Sequence, residues 1–113
     1  MHEMSIAMSL LETAELHALK NGALQINEIE VEVGALAGVM VESLEFCFES
    51  ASKGTLAEGA KLTITSIPGM GECMSCNARF PVEAEYDSCP ICDEVLIRVV
   101  QGHELKVKAI NID

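Results

Sequence analysis

The chain has 113 residues, half of them hydrophobic and only 4% aromatic, which suits one small domain with an aliphatic core. Its formal net charge of −11 disfavours binding to nucleic acids and to anionic membrane surfaces. No apolar stretch approaches the ~18 residues of a membrane-spanning helix, and Glu3 stands where a secretory signal carries a basic residue. We therefore expect a cytoplasmic protein that binds neither nucleic acid nor membranes.

The N-terminal third predicts a helix followed by a strand. A helix over about residues 4–20 ends at Lys20-Asn21-Gly22, and glutamates that alternate with Ile29, Val31 and Val33 predict a strand with one wet face. Gly34 and the residues up to Gly38 then form a loop. The apolar stripe expected on the helix consists of Met4, Ala7, Met8, Leu11, Ala14 and Ala18.

A second helix is predicted over residues 42–53, with an apolar face of Leu44, Cys47, Phe48 and Ala51. We expect Cys47 to pack in the core, with a role as ligand or reactive thiol as the alternative. A strand around Leu62 and Ile64 ends at Pro68-Gly69, and two further strands follow, over 95–100 and around Leu105 and Val107.

These elements predict an α+β fold in which a two-helix, three-stranded platform carries an inserted zinc-ribbon-like module. The platform takes residues 1–69 and 102–113, and the module takes residues 70–101.

Four cysteines in two Cys-x-x-Cys pairs, twelve residues apart, dominate this module: Cys73, Cys76, Cys89 and Cys92. Two such pairs supply four thiolates in the tetrahedral, closed shell of a structural zinc site. Asn77 and Asp93 follow the pairs, and both residue types tolerate the left-handed backbone that such turns need. Two disulfides fit a cytosolic protein poorly, and redox chemistry lacks its βαβ setting, whereas iron in a rubredoxin-like site uses the same ligands.

The N-terminus offers a second kind of metal site. In Met1-His2-Glu3, an imidazole, the terminal amine and backbone amides form an all-nitrogen set suited to square-planar nickel(II) or copper(II). Glu3 has a simpler role as well, because a carboxylate in the first turn offsets the helix dipole. His17 and His103 are interpreted as structural and exposed residues, respectively.

Several motifs, taken in their order along the whole chain, resemble the HypA/HybF family of nickel metallochaperones that act in maturation of [NiFe]-hydrogenase. The motifs are Met1-His2-Glu3, Gly34 with Val39, Leu44-Glu-Phe46-Cys-Phe48, Gly54-Thr55, Glu58-Gly59-Ala60, the two cysteine pairs and Gly102-His-Glu-Leu105.

The resemblance implies a non-enzymatic carrier that delivers nickel for hydrogenase and, in some bacteria, urease. Nickel is then held by His2 with Glu3 and N-terminal backbone nitrogens, and Glu42 is the nearest match to an acidic ligand that some members add. The implied partners are a GTPase of the HypB type, the hydrogenase large subunit and a possible second copy of the chain. A histidine that some relatives place in the zinc module has no counterpart between Cys76 and Cys89.

From the residues alone, two other functions remain. A zinc-ribbon module associated with nucleic acid or transcription has the acidic charge against it, together with the absence of any Lys/Arg cluster. Rubredoxin-like electron transfer is distinguished by the visible absorption of iron thiolates.

Overall fold

The computed structural model describes residues 3–84 and 87–113, and within them the chain forms two helices and six strands. The strands make two sheets of three, in the orders β2-β1-β6 and β4-β3-β5. The α+β class with a two-helix, three-stranded platform is confirmed. The elements are α1 (Glu3–Lys20), β1 (Ile26–Gly34), α2 (Val41–Ser52), β2 (Lys61–Ile67), β3 (Met70–Cys73), β4 (Arg79–Pro81), β5 (Ile97–Gln101) and β6 (Leu105–Ile112).

The chain divides into two compact units. Unit 1 comprises Met1–Glu32, Val39–Thr65 and Lys106–Asp113, and unit 2 comprises Val33–Gly38 and Ser66–Leu105. Neither described helix is long and apolar enough to cross a membrane.

Helix α1 contributes the largest part of the unit 1 core, but with a face rotated from the predicted one. Four of the six residues of the predicted stripe are buried, whereas Met4 and Met8 are 40% and 57% exposed. The helical period allows two overlapping stripes on α1, and burial of the bulky Ile6 and Leu10 removes more aliphatic surface from water. The residues buried on α1 are Ile6, Ala7, Leu10, Leu11, Ala14 and Ala18.

The central strand β1 and helix α2 complete this core. Ile26, Ile29 and Val31 are fully buried on β1, and Leu44 and Phe48 are buried on α2. The alternation predicted for β1 is confirmed, because the intervening glutamates lie on the other face, where the carboxylate of Glu32 pairs with Lys106 at 3.5 Å. Helix α2 ends at Ser52, one residue before the predicted end, and Gly54 beyond it has a φ of 79°.

Unit 2 contains the second sheet, in which β3 pairs antiparallel with both β4 and β5. The three-residue strand β4 lies between the two cysteine pairs, where no strand was predicted. Glu72 of β3 faces Arg79 on one side and Arg98 on the other, with N–O distances of 3.1 and 2.6 Å. Hydrogen bonds from Arg79 and then Arg98 hold the pKa of Glu72 below its usual range.

Close backbone contacts occur around Gly34 within unit 2. The amide of Gly34 donates to the carbonyl of Glu104 at 2.7 Å, and the amide of Leu36 donates to the carbonyl of Gly102 at 2.8 Å. A Cβ at position 34 would overlap the carbonyl of Gly102, so only glycine fits there.

Candidate metal centre

The first cysteine pair forms a turn that begins in β3. The amide of Asn77 donates to the carbonyl of Cys73 at 3.0 Å, and the amide of Cys73 donates to the carbonyl of Ala78 at 2.9 Å. Asn77 has a φ of 63°, as its residue type predicted. This turn brings the side chains of Cys73 and Cys76 to the same side of the chain.

The second pair repeats this arrangement almost bond for bond. The amide of Asp93 donates to the carbonyl of Cys89, and the amide of Cys89 donates to the carbonyl of Glu94, both at 2.9 Å. Asp93 has a φ of 64°. The two turns are therefore the same structural unit used twice, with Cys92 in the place that Cys76 occupies in the first.

The four predicted cysteines converge. Their sulfur atoms all lie within 4.8 Å of one another, with 3.5 Å between Cys73 and Cys92 and 3.7 Å between Cys76 and Cys89. Four sulfurs at about 2.3 Å from a tetrahedral zinc ion are separated by about 3.8 Å. The arrangement therefore fits a closed ZnS₄ centre without rearrangement of the backbone.

The environment of the sulfurs differs between the two halves of the cluster. Cys73 and Cys89 are buried in a small core with Phe80 and Val82, whereas Cys76 and Cys92 are exposed. One cysteine of each pair thus anchors the centre to unit 2, and the other completes the shell from the solvent side. The side chains that pack against this core are Leu36, Ala78 and Ile97.

Backbone amides donate to both buried sulfurs. The amides of Ser75 and Cys76 donate to the sulfur of Cys73 at 3.4 Å, and the amide of Ile91 donates to the sulfur of Cys89 at 3.4 Å. The two bonds to Cys73 favour its thiolate, and its pKa falls to about 7, chiefly through the amide of Cys76.

The exposed sulfurs behave differently. The amide of Glu94 favours the thiolate of Cys92, but the adjacent sulfur of Cys73 and the loss of hydration outweigh it and raise the pKa of Cys92 to about 12. Binding of a metal ion therefore requires the loss of a proton from Cys92 at neutral pH.

A polar bridge that the sequence analysis missed connects the two turns. The hydroxyl of Ser75, between the first two cysteines, donates to Glu94 Oε2 at 3.1 Å. The other carboxylate oxygen of Glu94 accepts from the amides of Val95 at 2.9 Å and Leu96 at 3.2 Å. Ser75 and Glu94 are ordinary surface residues by type, and only their positions beside the two cysteine pairs hint at this contact.

Of the predicted N-terminal site, the structure describes Glu3 and Glu42, both of which belong to unit 1. His2 lies outside the described residues. Glu3 opens α1, and its Oε2 accepts a hydrogen bond from the amide of Met40 at 3.4 Å, just before α2. Glu3 and Glu42 line one open cavity of about 470 Å³. The structure thus brings together two of the residues named for nickel, although 39 positions separate them in the chain.

Cys47 lines the same cavity and is only half-buried, so it is not the core residue that the apolar face of α2 predicted. Leu44 and Phe48 take the buried positions on that face. His17 is exposed in the last turn of α1, where its carbonyl accepts the side-chain amide of Asn21 at 2.8 Å. His103 is exposed next to Gly102 in unit 2.

Comparisons of the chain with a family model and with known proteins identify the same family. The family model for HypA, described as a metallochaperone of hydrogenase and urease nickel incorporation, matches residues 1–112. The hydrogenase maturation factor HypA of Chlorobaculum tepidum is 47% identical, and that of Geobacter metallireducens is 44% identical, in both cases over 100% of each chain. The alternative of a nucleic-acid or transcription module is not favoured.

Solved structures agree with this match. The solution structure of the nickel metallochaperone HypA from Helicobacter pylori aligns with a TM-score of 0.74 and 28% identity, covering 99% of this chain and 97% of that one. A second solution structure of a HypA protein aligns with a TM-score of 0.75 and 26% identity.

Proposed function

Because the chain belongs to the HypA family of nickel metallochaperones, we propose that its nickel ion is held at the N-terminus by His2, the terminal amine and the first backbone nitrogens. The observation that carries this proposal is a family match that spans residues 1–112 and therefore includes Met1-His2-Glu3. Amine, amide and imidazole nitrogens form the square-planar set that suits nickel(II).

The cavity beside α1 supports a role for nearby carboxylates. Glu3 and Glu42 both line it, and Glu42 lies in the first turn of α2. A carboxylate at this place offers an oxygen to a cation bound by the residues that precede α1. We assign Glu42 as the acidic residue nearest to the nickel ion and Glu3 as a contributor of its backbone nitrogen.

Zinc has a different role in this proposal. The sulfurs of Cys73, Cys76, Cys89 and Cys92 can hold structural zinc, and four thiolates leave no open position for a substrate or a water molecule. The ion then maintains unit 2, whose small core includes two of its ligands. Thiolate and nitrogen ligands also prefer different metals, so one chain can bind zinc and nickel selectively.

The proposed partners follow from the pathway. Membership of a hydrogenase-maturation family implies partners in that pathway, and we propose a HypB-type GTPase as the nickel-handling partner and the hydrogenase large subunit as the recipient. A second copy of the chain and, by the family description, the urease pathway are further candidates. We place this activity in the cytoplasm and assign no catalysis to the chain.

Nickel titration of the untagged protein tests the proposal. We expect one nickel ion per chain with the absorption of a square-planar nitrogen complex, and loss of that complex in His2→Ala. One glycine added before Met1 moves the imidazole out of the chelate, so it is expected to have the same effect.

The matched control is His17→Ala, because His17 is exposed in the last turn of α1 and does not line the cavity. It should leave the titration unchanged. Stoichiometric nickel binding that survives both N-terminal changes would show that the site lies elsewhere.

A further inference from the structure

The carboxylate of Glu3 lies at the N-terminal ends of both helices. It is in the first turn of α1, and its Oε2 accepts the amide of Met40, the N-cap residue of α2, at 3.4 Å. Met40 has an extended backbone, with φ −84° and ψ 107°, and its side chain makes no capping hydrogen bond. Its amide is therefore bonded by a side chain 37 residues earlier in the chain.

This contact replaces a capping hydrogen bond that α2 does not make with its own residues. A helix leaves its first amides without partners, and in a capping box a Glu or Gln at the third helical position bonds back to the amide of the N-cap residue. In α2 the third position is Ser43, which is too short for that role. Glu3 supplies the carboxylate from α1 instead, and its charge is favourable at both helix dipoles.

The position of Glu3 connects this bond with metal binding. The backbone nitrogen of Glu3 is one of the proposed nickel ligands, and Glu3 directly follows His2 in the chain. The hydrogen bond to Met40 therefore fixes Glu3, the residue that follows His2, beside the cavity that Glu42 also lines.

We propose, on the basis of the nickel site assigned above, that Glu3 is a positioning residue whose carboxylate acts through the amide of Met40 and not as a nickel ligand. The bond holds the backbone nitrogen of Glu3 in the position that nickel binding requires. When only a fraction of molecules is in the competent conformation, the apparent affinity falls by that fraction. Loss of one capping bond typically corresponds to about a fivefold change in such a population.

Three variants separate positioning from ligation in nickel titrations against a competing chelator. Glu3→Ala removes the acceptor and should weaken nickel binding about fivefold. Glu3→Gln retains an amide oxygen that can accept from Met40, so it should recover most of that loss. Met40→Pro removes the donor while its ring fits a φ near −84°, and it should weaken binding as Glu3→Ala does.

The double variant Glu3→Ala/Met40→Pro should bind nickel no more weakly than either single variant, because the two substitutions remove the same hydrogen bond. Glu12→Ala is the matched control, since it removes a carboxylate from α1 outside this cavity and should leave the affinity unchanged. The nickel absorption spectrum should keep its shape in every variant.

Two results would overturn the inference. If Glu3→Gln loses nickel as completely as Glu3→Ala and the spectrum changes, the carboxylate is a ligand. If neither change at position 3 affects the affinity, the bond does not position the site.

The amide proton of Met40 in the metal-free protein provides a separate readout, because its NMR signal should shift upfield in Glu3→Ala and stay in place in His2→Ala. An unchanged Met40 signal in Glu3→Ala would refute the bond itself, even if Met40→Pro does not fold. Nickel binding that persists in His2→Ala would instead refute the assigned nickel site.

Discussion

Asn77 and Asp93 adopt the same left-handed backbone conformation, with φ values of 63° and 64°, each directly after the second cysteine of its pair. In both turns the residue donates its amide to the carbonyl of the first cysteine, at 3.0 Å for Asn77 and 2.9 Å for Asp93. The geometry of the metal centre thus depends on two residues that do not bind the metal.

The effect of a substitution at Asn77 on stability should depend on how well the new residue tolerates a positive φ. Asn77→Gly should leave zinc retention unchanged or slightly improved, because glycine adopts positive φ freely, whereas Asn77→Val should destabilise unit 2 by about 1–2 kcal/mol. Urea unfolding and zinc release to a chelator measure the two effects. A valine variant as stable as the glycine variant would show that the turn does not require this conformation.

Removal of zinc should affect the two units unequally. The core of unit 2 is small and includes Cys73 and Cys89, so a strong chelator or Cys73→Ser should unfold it. The aliphatic core of unit 1 contains no zinc ligand, and its residues Ile29 and Leu44 should keep their NMR dispersion. Cys47→Ser is the control, because Cys47 lies outside the cluster. Loss of NMR dispersion in both units after chelation would contradict this prediction.

Zinc affinity should fall as the solution is acidified. The metal requires thiolates, and Cys92, with a pKa raised to about 12, must release a proton on binding at neutral pH. Below a pH of about 7, Cys73 also becomes protonated in the metal-free protein, so the apparent affinity should fall more steeply there. Calorimetric titration in buffers of different ionisation enthalpy measures the protons released. A zinc affinity that stays constant between about pH 6 and 8, the range around the pKa of Cys73, would contradict thiolate ligation.

Gly34→Ala should destabilise the protein far more than a glycine replacement in open space. A Cβ at position 34 overlaps the backbone carbonyl of Gly102, which cannot move as a flexible side chain does, so we expect a loss of about 3 kcal/mol. At Gly54, with a φ of 79° and no atom within 4 Å of an added Cβ, alanine should cost only about 1 kcal/mol. Thermal unfolding of the two variants provides the comparison, and equal losses would mean that the backbone at position 34 relaxes.

The helices and most strands were predictable because their signals are local. The alternation around Ile29 and the glycine after α2 each specify conformation within a few residues. The sequence did not specify which face of α1 is buried. A stripe that contains Met4 and Met8 and a stripe that contains Ile6 and Leu10 both fit the helical period. The choice depends on which side chains fill the core, and that is a property of the packed fold.

The sequence by itself determined the four-cysteine cluster, because two Cys-x-x-Cys turns specify four candidate ligands and their geometry within short segments. It also indicated a left-handed backbone at the residue after each pair, because Asn77 and Asp93 are of types that tolerate this conformation. Only the tertiary structure decided that Glu3 reaches the amide of Met40 and shares a cavity with Glu42. The reason is physical: those contacts join the starts of two helices that are distant in the chain, and their distance depends on how the helices pack.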